Sequence, residues 1–151
     1  MLSAYRYRIY PSEQQEMRLK RSLQALCDLY NTLRARKIEE YRKNHKSMTK
    51  TDLRALTLEL RRKNNGLQAI HSQVVQNVAD RVSVTFQNYF QKRARFPKTK
   101  KYKQYRSLTY PQSGFKLSGE VIEKGKRTEL NGKLYLSRIG QVRIFLHRPI
   151  E

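Results

Sequence analysis

Apolar and polar positions follow three successive regimes along the chain. Between Tyr5 and Tyr10 they alternate, with Tyr5, Tyr7 and Ile9 on one side and Arg6, Arg8 and Tyr10 on the other. A period of two in aromatic and β-branched residues predicts a half-buried strand, which Pro11 ends. Ser12 then fits an N-cap, with Gln15 completing a capping box. From there Leu19, Leu23, Leu26, Tyr30 and Leu33 recur at helical spacing, so a first helix keeps one apolar face to about residue 42. The polar stretch 44–50 breaks it. Thr51-Asp52 is expected to cap a second helix carrying Leu53, Leu56 and Leu60, and Asn65-Gly66 to stop it. A third helix is predicted from about Ser72 to Lys92, with Val75, Val78, Val82, Phe86 and Tyr89 in line.

After Phe96-Pro97 the period shortens again. Alternating runs follow at Phe115/Leu117, Val121-Ile122, Leu134/Leu136 and Val142/Ile144/Leu146, with Asn131-Gly132 and Gly140 as turn signals. These predict a small antiparallel sheet or barrel. The order of strand, three helices and several strands predicts an α+β fold, in which a helical insertion separates the first strand from the rest. No internal repeat or low-complexity tract interrupts the pattern.

Charge changes the picture more than composition does. The 151 residues hold 33 Lys and Arg against 12 Asp and Glu, a net charge of +21. Self-repulsion of that size opposes compaction of a free globule and implies a polyanionic partner, of which nucleic acid is the commonest. A membrane surface is the rival. No apolar run approaches the roughly 18 to 20 residues that span a bilayer, and the opening MLSAYRYRIYP lacks the apolar middle of a secretory signal. Cys27 is the single cysteine, which excludes an internal disulfide framework and a zinc knuckle and points to the reducing cytoplasm. Hydrophobic content of 38% argues against wholesale disorder. The excess charge is also uneven: residues 81–119 carry ten basic residues and no acid.

Within that block, residues 92–110 interleave Lys92, Arg93, Arg95, Lys98, Lys100, Lys101, Lys103 and Arg106 with Phe96, Tyr102, Tyr105 and Tyr110. Phosphates need cations and unpaired bases need flat faces, so the mixture suits RNA or unwound DNA better than a plain charge run does. The plainer alternative is a solvated basic loop whose tyrosines pack on neighbouring structure. Catalytic signals are weak by comparison. His45, His71 and His147 are isolated from one another and from Cys27, with no metal-ligand spacing. The stretch Gly119 to Gly125-Lys126 fails as a phosphate loop, having one residue too many and Arg127 where Ser or Thr is required. Beyond Asp80 the only acids are Glu120, Glu123, Glu129 and Glu151, too few and too scattered for a two-metal nuclease. At the start of the third helix, Ser72, Gln73, Gln76 and Asn77 lie opposite the valines. Gln and Asn can read adenine from the major groove, but on their own these four read first as a solvated helix face.

Taken in order, YRIYPSEQQEMRL (7–19), Leu29-Tyr30-Asn31, IHSQVVQNVADRVSVTFQNYF (70–90), RFPKTK (95–100), SLTYPQ (107–112) and IGQVRIFLHRPI (139–150) resemble the TnpB/OrfB family of small insertion sequences. The resemblance covers essentially the whole chain and lies in the order and spacing of these strings. It implies a wedge β-barrel into which a helical recognition domain, long described as a helix-turn-helix, is inserted. On that pattern residues 1–11 are the first wedge strand, 12–95 the recognition domain with its three-helix bundle, and 96–151 a basic linker and the remaining wedge strands. Family members are RNA-guided DNA endonucleases whose RuvC-like domain holds three metal-binding carboxylates and a zinc-binding insertion. The expectation is that this domain, with its magnesium and zinc, is absent here, so the chain itself has no cofactor and no nuclease activity.

The resemblance also implies partners: a guide RNA, gripped by the wedge, and a short duplex motif beside the transposon end. Carried over by position, the motif readers are Ser72, Gln73, Gln76 and Thr109, with Lys50 and Arg54 touching the same duplex. Ser72, Lys50 and Arg54 depart from the family's best-known pattern, which leaves the motif itself open, while Gln76 is the best retained. Three roles follow: a binding module that does not cut, one half of a nuclease completed by a separately encoded RuvC-like part, or a DNA-binding repressor.

Overall fold

The computed structural model describes residues 2–119, 122–124, 127–129 and 132–146. Val121, Gly125, Lys126 and Asn131, the acids Glu120 and Glu151, and His147 lie outside the described residues. The chain forms two compact units, residues 20–113 and residues 1–19 with 114–151. The fold is mixed helix and sheet, with four helices and a four-stranded antiparallel sheet among the described residues.

The sheet unit contains β1 (Ile9–Tyr10), β2 (Phe115–Gly119), β3 (Ile122–Lys124), β4 (Arg127–Glu129), β5 (Gly132–Leu136) and β6 (Gly140–Ile144). Four of these pair in the order β1-β6-β5-β2, and β3 and β4 form a separate hairpin. Among the described residues the sheet is open rather than a closed barrel, with β1 and β2 at its edges. Buried Val142 and Ile144 alternate with exposed Gln141 and Arg143, the period of two that sets one face inward. Leu136, Ile139 and Leu146 complete that apolar side. The first strand is much shorter than the alternation from Tyr5 predicts. Its ladder is limited to Ile9 opposite Ile144 and Tyr10 opposite Arg143. Alternation prepares a strand, but only a paired neighbour satisfies its backbone.

The Ser12–Gln15 capping box is present: Gln15 N–H donates to Ser12 Oγ at 3.3 Å and Ser12 N–H to Gln15 Oε1 at 2.9 Å. It starts α1 (Glu13–Asn44), most of which belongs to the helical unit. That unit continues with α2 (Lys50–Lys63), the single turn α3 (Asn65–Gln68) and α4 (Ser72–Phe90). Its core brings Leu26, Tyr30 and Leu33 of α1 against Leu53 of α2 and Val75, Val78 and Val82 of α4. Burying each such side chain contributes about 1.5–3 kcal/mol, which fixes the helices against one another.

Three boundaries differ from the sequence pattern. Thr49, not Thr51, caps α2; its Oγ1 accepts from Asp52 N–H at 3.2 Å while Asp52 Oδ2 accepts from Thr49 N–H at 2.9 Å. Asn64, not Asn65-Gly66, ends α2, because its extended backbone (φ −128°, ψ 111°) leaves the helix. The same Asn64 side chain then accepts from Leu67 N–H at 3.1 Å and starts α3. Finally, α4 stops at Phe90, and Lys92 takes the left-handed conformation (φ 60°) that turns the chain.

Candidate nucleic-acid interface

The polar face of α4 begins at His71, whose Nδ1 accepts from Gln73 N–H at 3.3 Å and caps the helix. Residues three and four apart share a helix face, so Gln73, Gln76, Asn77 and Asp80 form one strip. Together with Arg54 of α2 and Gln112 they line an open groove of about 280 Å³. Its floor is ionic. Arg54 donates from Nε to Asp80 Oδ1 at 2.8 Å and from a terminal nitrogen to Asp80 Oδ2 at 2.9 Å. Lys50 Nζ stands 4.0 Å from the same carboxylate. The hydrogen bond that Arg54 donates to Asp80, with the charge of that carboxylate, pushes the Arg54 pKa up.

These contacts limit what each side chain can offer a ligand. Gln73 Oε1 accepts from Ser113 N–H at 2.9 Å, so its amide NH2 is the freer end. Gln76 makes only a long contact, from Nε2 to Arg54 O at 3.5 Å. Arg54 spends two of its five donors on Asp80 and keeps three. Beside the groove, Arg81 donates to Thr109 Oγ1 at 2.9 Å, Ser107 O at 2.8 Å and Asn77 Oδ1 at 3.0 Å. The structure thus brings Gln73, Gln76 and Arg54 into one groove, with Lys50 beside Asp80 and Thr109 held by Arg81. Ser72 is exposed at the first turn of α4 and is not among the groove residues.

The basic segment is divided by its packing. Asn31 holds the Lys100 backbone, and Lys100 Nζ lies 4.7 Å from the centre of the Tyr30 ring. Lys92, Arg93, Arg95, Lys98, Lys101 and Lys103 are exposed, as is Arg106, whose Nε donates to Lys103 O at 2.8 Å. Tyr102 is 54% exposed on a 3-10 turn, and its hydroxyl donates to the Asp28 carboxylate at 3.0 Å. That bond pushes the Tyr102 pKa up. Tyr105 departs from the expectation of a stacking platform. It is 3% exposed, its ring 6.1 Å from that of Tyr30 and 5.3 Å from the Arg81 guanidinium carbon, so no base can reach its face.

Residues 1–46 match the helix-turn-helix domain of the OrfB proteins of the IS605 group. Over 144 residues, 94% of its length, the chain is 27% identical to the Escherichia coli (strain K12) protein named "Putative RNA-guided DNA endonuclease InsQ". The chain is thus similar to proteins of the TnpB/OrfB kind. It spans about a third of the length of InsQ, 33%. The family match within α1 and the strand before it carries none of the groove residues; those lie beyond residue 46.

Asp80, Arg81 and Gln112 are groove and groove-side residues that the sequence pattern passed over. Asp80 and Arg81 could have been found at the fourth position after Gln76 and Asn77. Nothing in the sequence announces Gln112, which reaches the groove through an irregular segment. Among the described residues, no three of His, Cys, Asp and Glu converge as a metal site would require, and no helix is long and apolar enough to cross a membrane.

Proposed function

We propose that this chain is the nucleic-acid-binding part of a TnpB-like transposon protein. In this reading residues 20–113 are the recognition domain and the sheet unit is the wedge. The first turns of α4 enter the major groove of a short duplex motif beside a transposon end. Gln73 presents its amide NH2 to an acceptor edge, Gln76 keeps both ends available for a bidentate contact, and Arg54 offers its remaining donors. Lys98, Lys101, Lys103 and Arg106 hold phosphates of the duplex or of a guide RNA scaffold. The chain binds without a metal and does not cut. Cleavage belongs to a RuvC-like part with its own carboxylates, magnesium and zinc, in one polypeptide or encoded apart.

The observation that carries this reading is the groove itself. Polar readers from two helices converge there without a buried catalytic group, in the unit that also carries the acid-free basic segment. The test is selection from a randomised duplex pool, repeated across salt concentrations and with a chelator present, with sequencing of any RNA that copurifies. A short enriched motif, insensitive to the chelator, is expected. Uniform affinity for all duplexes, collapsing with salt, overturns motif reading. Guide-dependent plasmid cleavage by these residues alone overturns the assignment as a non-cutting module.

A further inference from the structure

The other end of α4 holds a second groove, remote along the helix from Gln73 and Gln76. Phe86, Tyr89 and Phe90 line it with Phe96 and, from α1, Tyr41 and Lys37. Its volume of about 480 Å³ falls within the ~300–1,000 Å³ of sites that take ring-sized ligands. The rings are not a finished core: Phe90 is 65% exposed, Tyr41 60% and Phe96 45%. They are nonetheless held in place. Phe96 stands nearly perpendicular to Phe86 at 5.9 Å and to Tyr89 at 5.1 Å, the edge-to-face arrangement that ring quadrupoles favour.

Two features say what such a surface would attract. Lys37 is buried, with its ammonium 5.2 Å from the centre of the Phe86 ring. Two of its three donors go to Met48 O and Ser47 Oγ, leaving one for an acceptor in the groove it lines. The rim is cationic as well. Between Phe90 and Phe96 the chain turns sharply, with Lys92 N–H on Tyr89 O at 3.0 Å and Arg93 N–H on Asn88 O at 2.8 Å. Lys92, Arg93 and Arg95 all project from this turn, and among the described residues no carboxylate pairs with them within 4.0 Å. Flat exposed rings beside unneutralised cations complement a strand whose bases are unstacked and whose phosphates run alongside. An apolar protein segment would waste the cationic rim, and a paired duplex would offer no free base face.

We propose that this groove binds unpaired nucleobases of a single-stranded nucleic acid, stacked on Phe90 and Phe96, with phosphates on Lys92, Arg93 and Arg95. The inference rests on the nucleic-acid reading above but assigns a separate site. Lys37 supplies a hydrogen bond to a ring nitrogen or carbonyl of a seated base.

The test measures binding of short single-stranded DNA and RNA, with 2-aminopurine as a stacking probe and abasic strands as the comparison. A blunt duplex is the control. Quenching of the probe on binding is expected, with affinity for the normal strand about tenfold or more above that for the abasic strand. Phe90→Leu keeps the apolar bulk but loses the flat face, and should lose most of that difference; Phe90→Trp should retain it. Phe90 is largely exposed, so unchanged thermal unfolding verifies that both variants fold. A difference between the DNA and RNA arms identifies the natural source of the strand.

Equal affinity for abasic and normal strands overturns the inference, and so does an absence of single-strand binding, whatever the duplex does. If Phe90→Leu binds as the native chain does, the groove is an apolar docking surface and the inference fails. Base-dependent strand binding without duplex binding leaves this site standing and removes the motif-reading role of Gln73 and Gln76. Motif-specific duplex binding with no base dependence does the opposite.

Discussion

Asn31 and Lys100 are joined by a two-way amide clamp: Asn31 Nδ2 donates to Lys100 O at 2.9 Å, and Lys100 N–H donates to Asn31 Oδ1 at 2.8 Å. One side chain on α1 thereby satisfies both backbone groups of a residue in a segment without regular pairing. The Cys27 thiol adds a bond to the same carbonyl at 3.3 Å, and burial pushes its pKa up, which keeps it a thiol and a donor. The clamp ties the middle of the basic segment to the helical core. Asn31→Ala should leave the Lys100 N–H unpaired in a half-buried place and cost about 1–3 kcal/mol. Urea unfolding reads the stability, and hydrogen exchange at Lys100 should accelerate. An unchanged exchange rate would show that the clamp does not order the segment.

Specificity and affinity should separate by residue. Gln76→Ala should relax motif preference, at a cost of about 1–3 kcal/mol on the preferred sequence where the contact is bidentate. Neutralising Lys101 and Lys103 should weaken every sequence alike. It should also flatten the slope of log affinity against log salt by about one for each phosphate that is no longer neutralised. Lys100 is a poorer choice for that experiment because its ammonium lies over the Tyr30 ring. Salt-dependent binding isotherms for the preferred and a scrambled duplex distinguish the two classes.

Asp80 should act as a brake. Its carboxylate takes two donors of Arg54 and sits within 4.0 Å of Lys50. Asp80→Asn removes the one negative charge of the groove and frees both cations for phosphates. Affinity for unrelated duplexes should rise and the ratio of specific to nonspecific binding should fall, with a steeper salt dependence. Stability should change little, because exposed ion pairs contribute weakly. Competition of the preferred duplex against bulk DNA measures the ratio, and an unaltered ratio would mean that Asp80 only supports the fold.

The long helices were legible because burial imposes a period: Leu26, Tyr30 and Leu33 on α1, and Val75, Val78 and Val82 on α4, mark faces that no other arrangement could hide. Gln73 and Gln76 were legible as polar residues opposite that stripe, and Arg54 came only from position in a family pattern. What stayed hidden depends on contacts between distant parts of the chain. Arg54 and Asp80 stand 26 residues apart, and each looks like an ordinary surface charge. Tyr105 sits with Tyr102 in one basic, aromatic run of the sequence, yet of these two rings Tyr102 is exposed and Tyr105 is buried. An irregular segment has no period to reveal which ring turns inward. Asn64 escaped for a local reason: the Asn65-Gly66 pair after it was the stronger turn signal, although a single turn of helix accommodates both residues.

The start of α2 should be acid-sensitive. Hydrogen bonds from Thr49, backbone first and side chain second, hold the Asp52 carboxyl below the usual carboxylate range, aided by Lys46 and Lys37. A carboxyl with a depressed folded-state pKa contributes stability above its unfolded value. That contribution is lost as pH falls through the folded value. Asp52→Asn removes this component. The stability gap between native and variant chains should be widest near neutral pH and should close in acid. Urea midpoints across an acid series provide the measurement, and a gap independent of pH would assign the loss to packing rather than to the cap.

Gly132 should tolerate no side chain. It opens β5 opposite Ile144 of β6, and a Cβ there would meet Ile144 Cγ2 at 2.5 Å, Leu146 Cγ at 2.8 Å and Ile144 O at 2.9 Å. Two of those atoms belong to side chains buried in the sheet unit, and the third is backbone, so no flexible end can swing aside. Relief requires β5 and β6 to separate locally, at the register that also seats β1 through Ile9 and Ile144. Gly132→Ala should therefore destabilise by about 1–3 kcal/mol, the usual range for overpacking. Because Phe145 N–H donates to Arg8 O at 2.9 Å in the same corner, the damage should spread to β1. Amide exchange at Phe145 should quicken in the variant while amides at Val78 and Val82 of α4 stay protected. Equal loss of protection in both places would mean that the two units unfold as one.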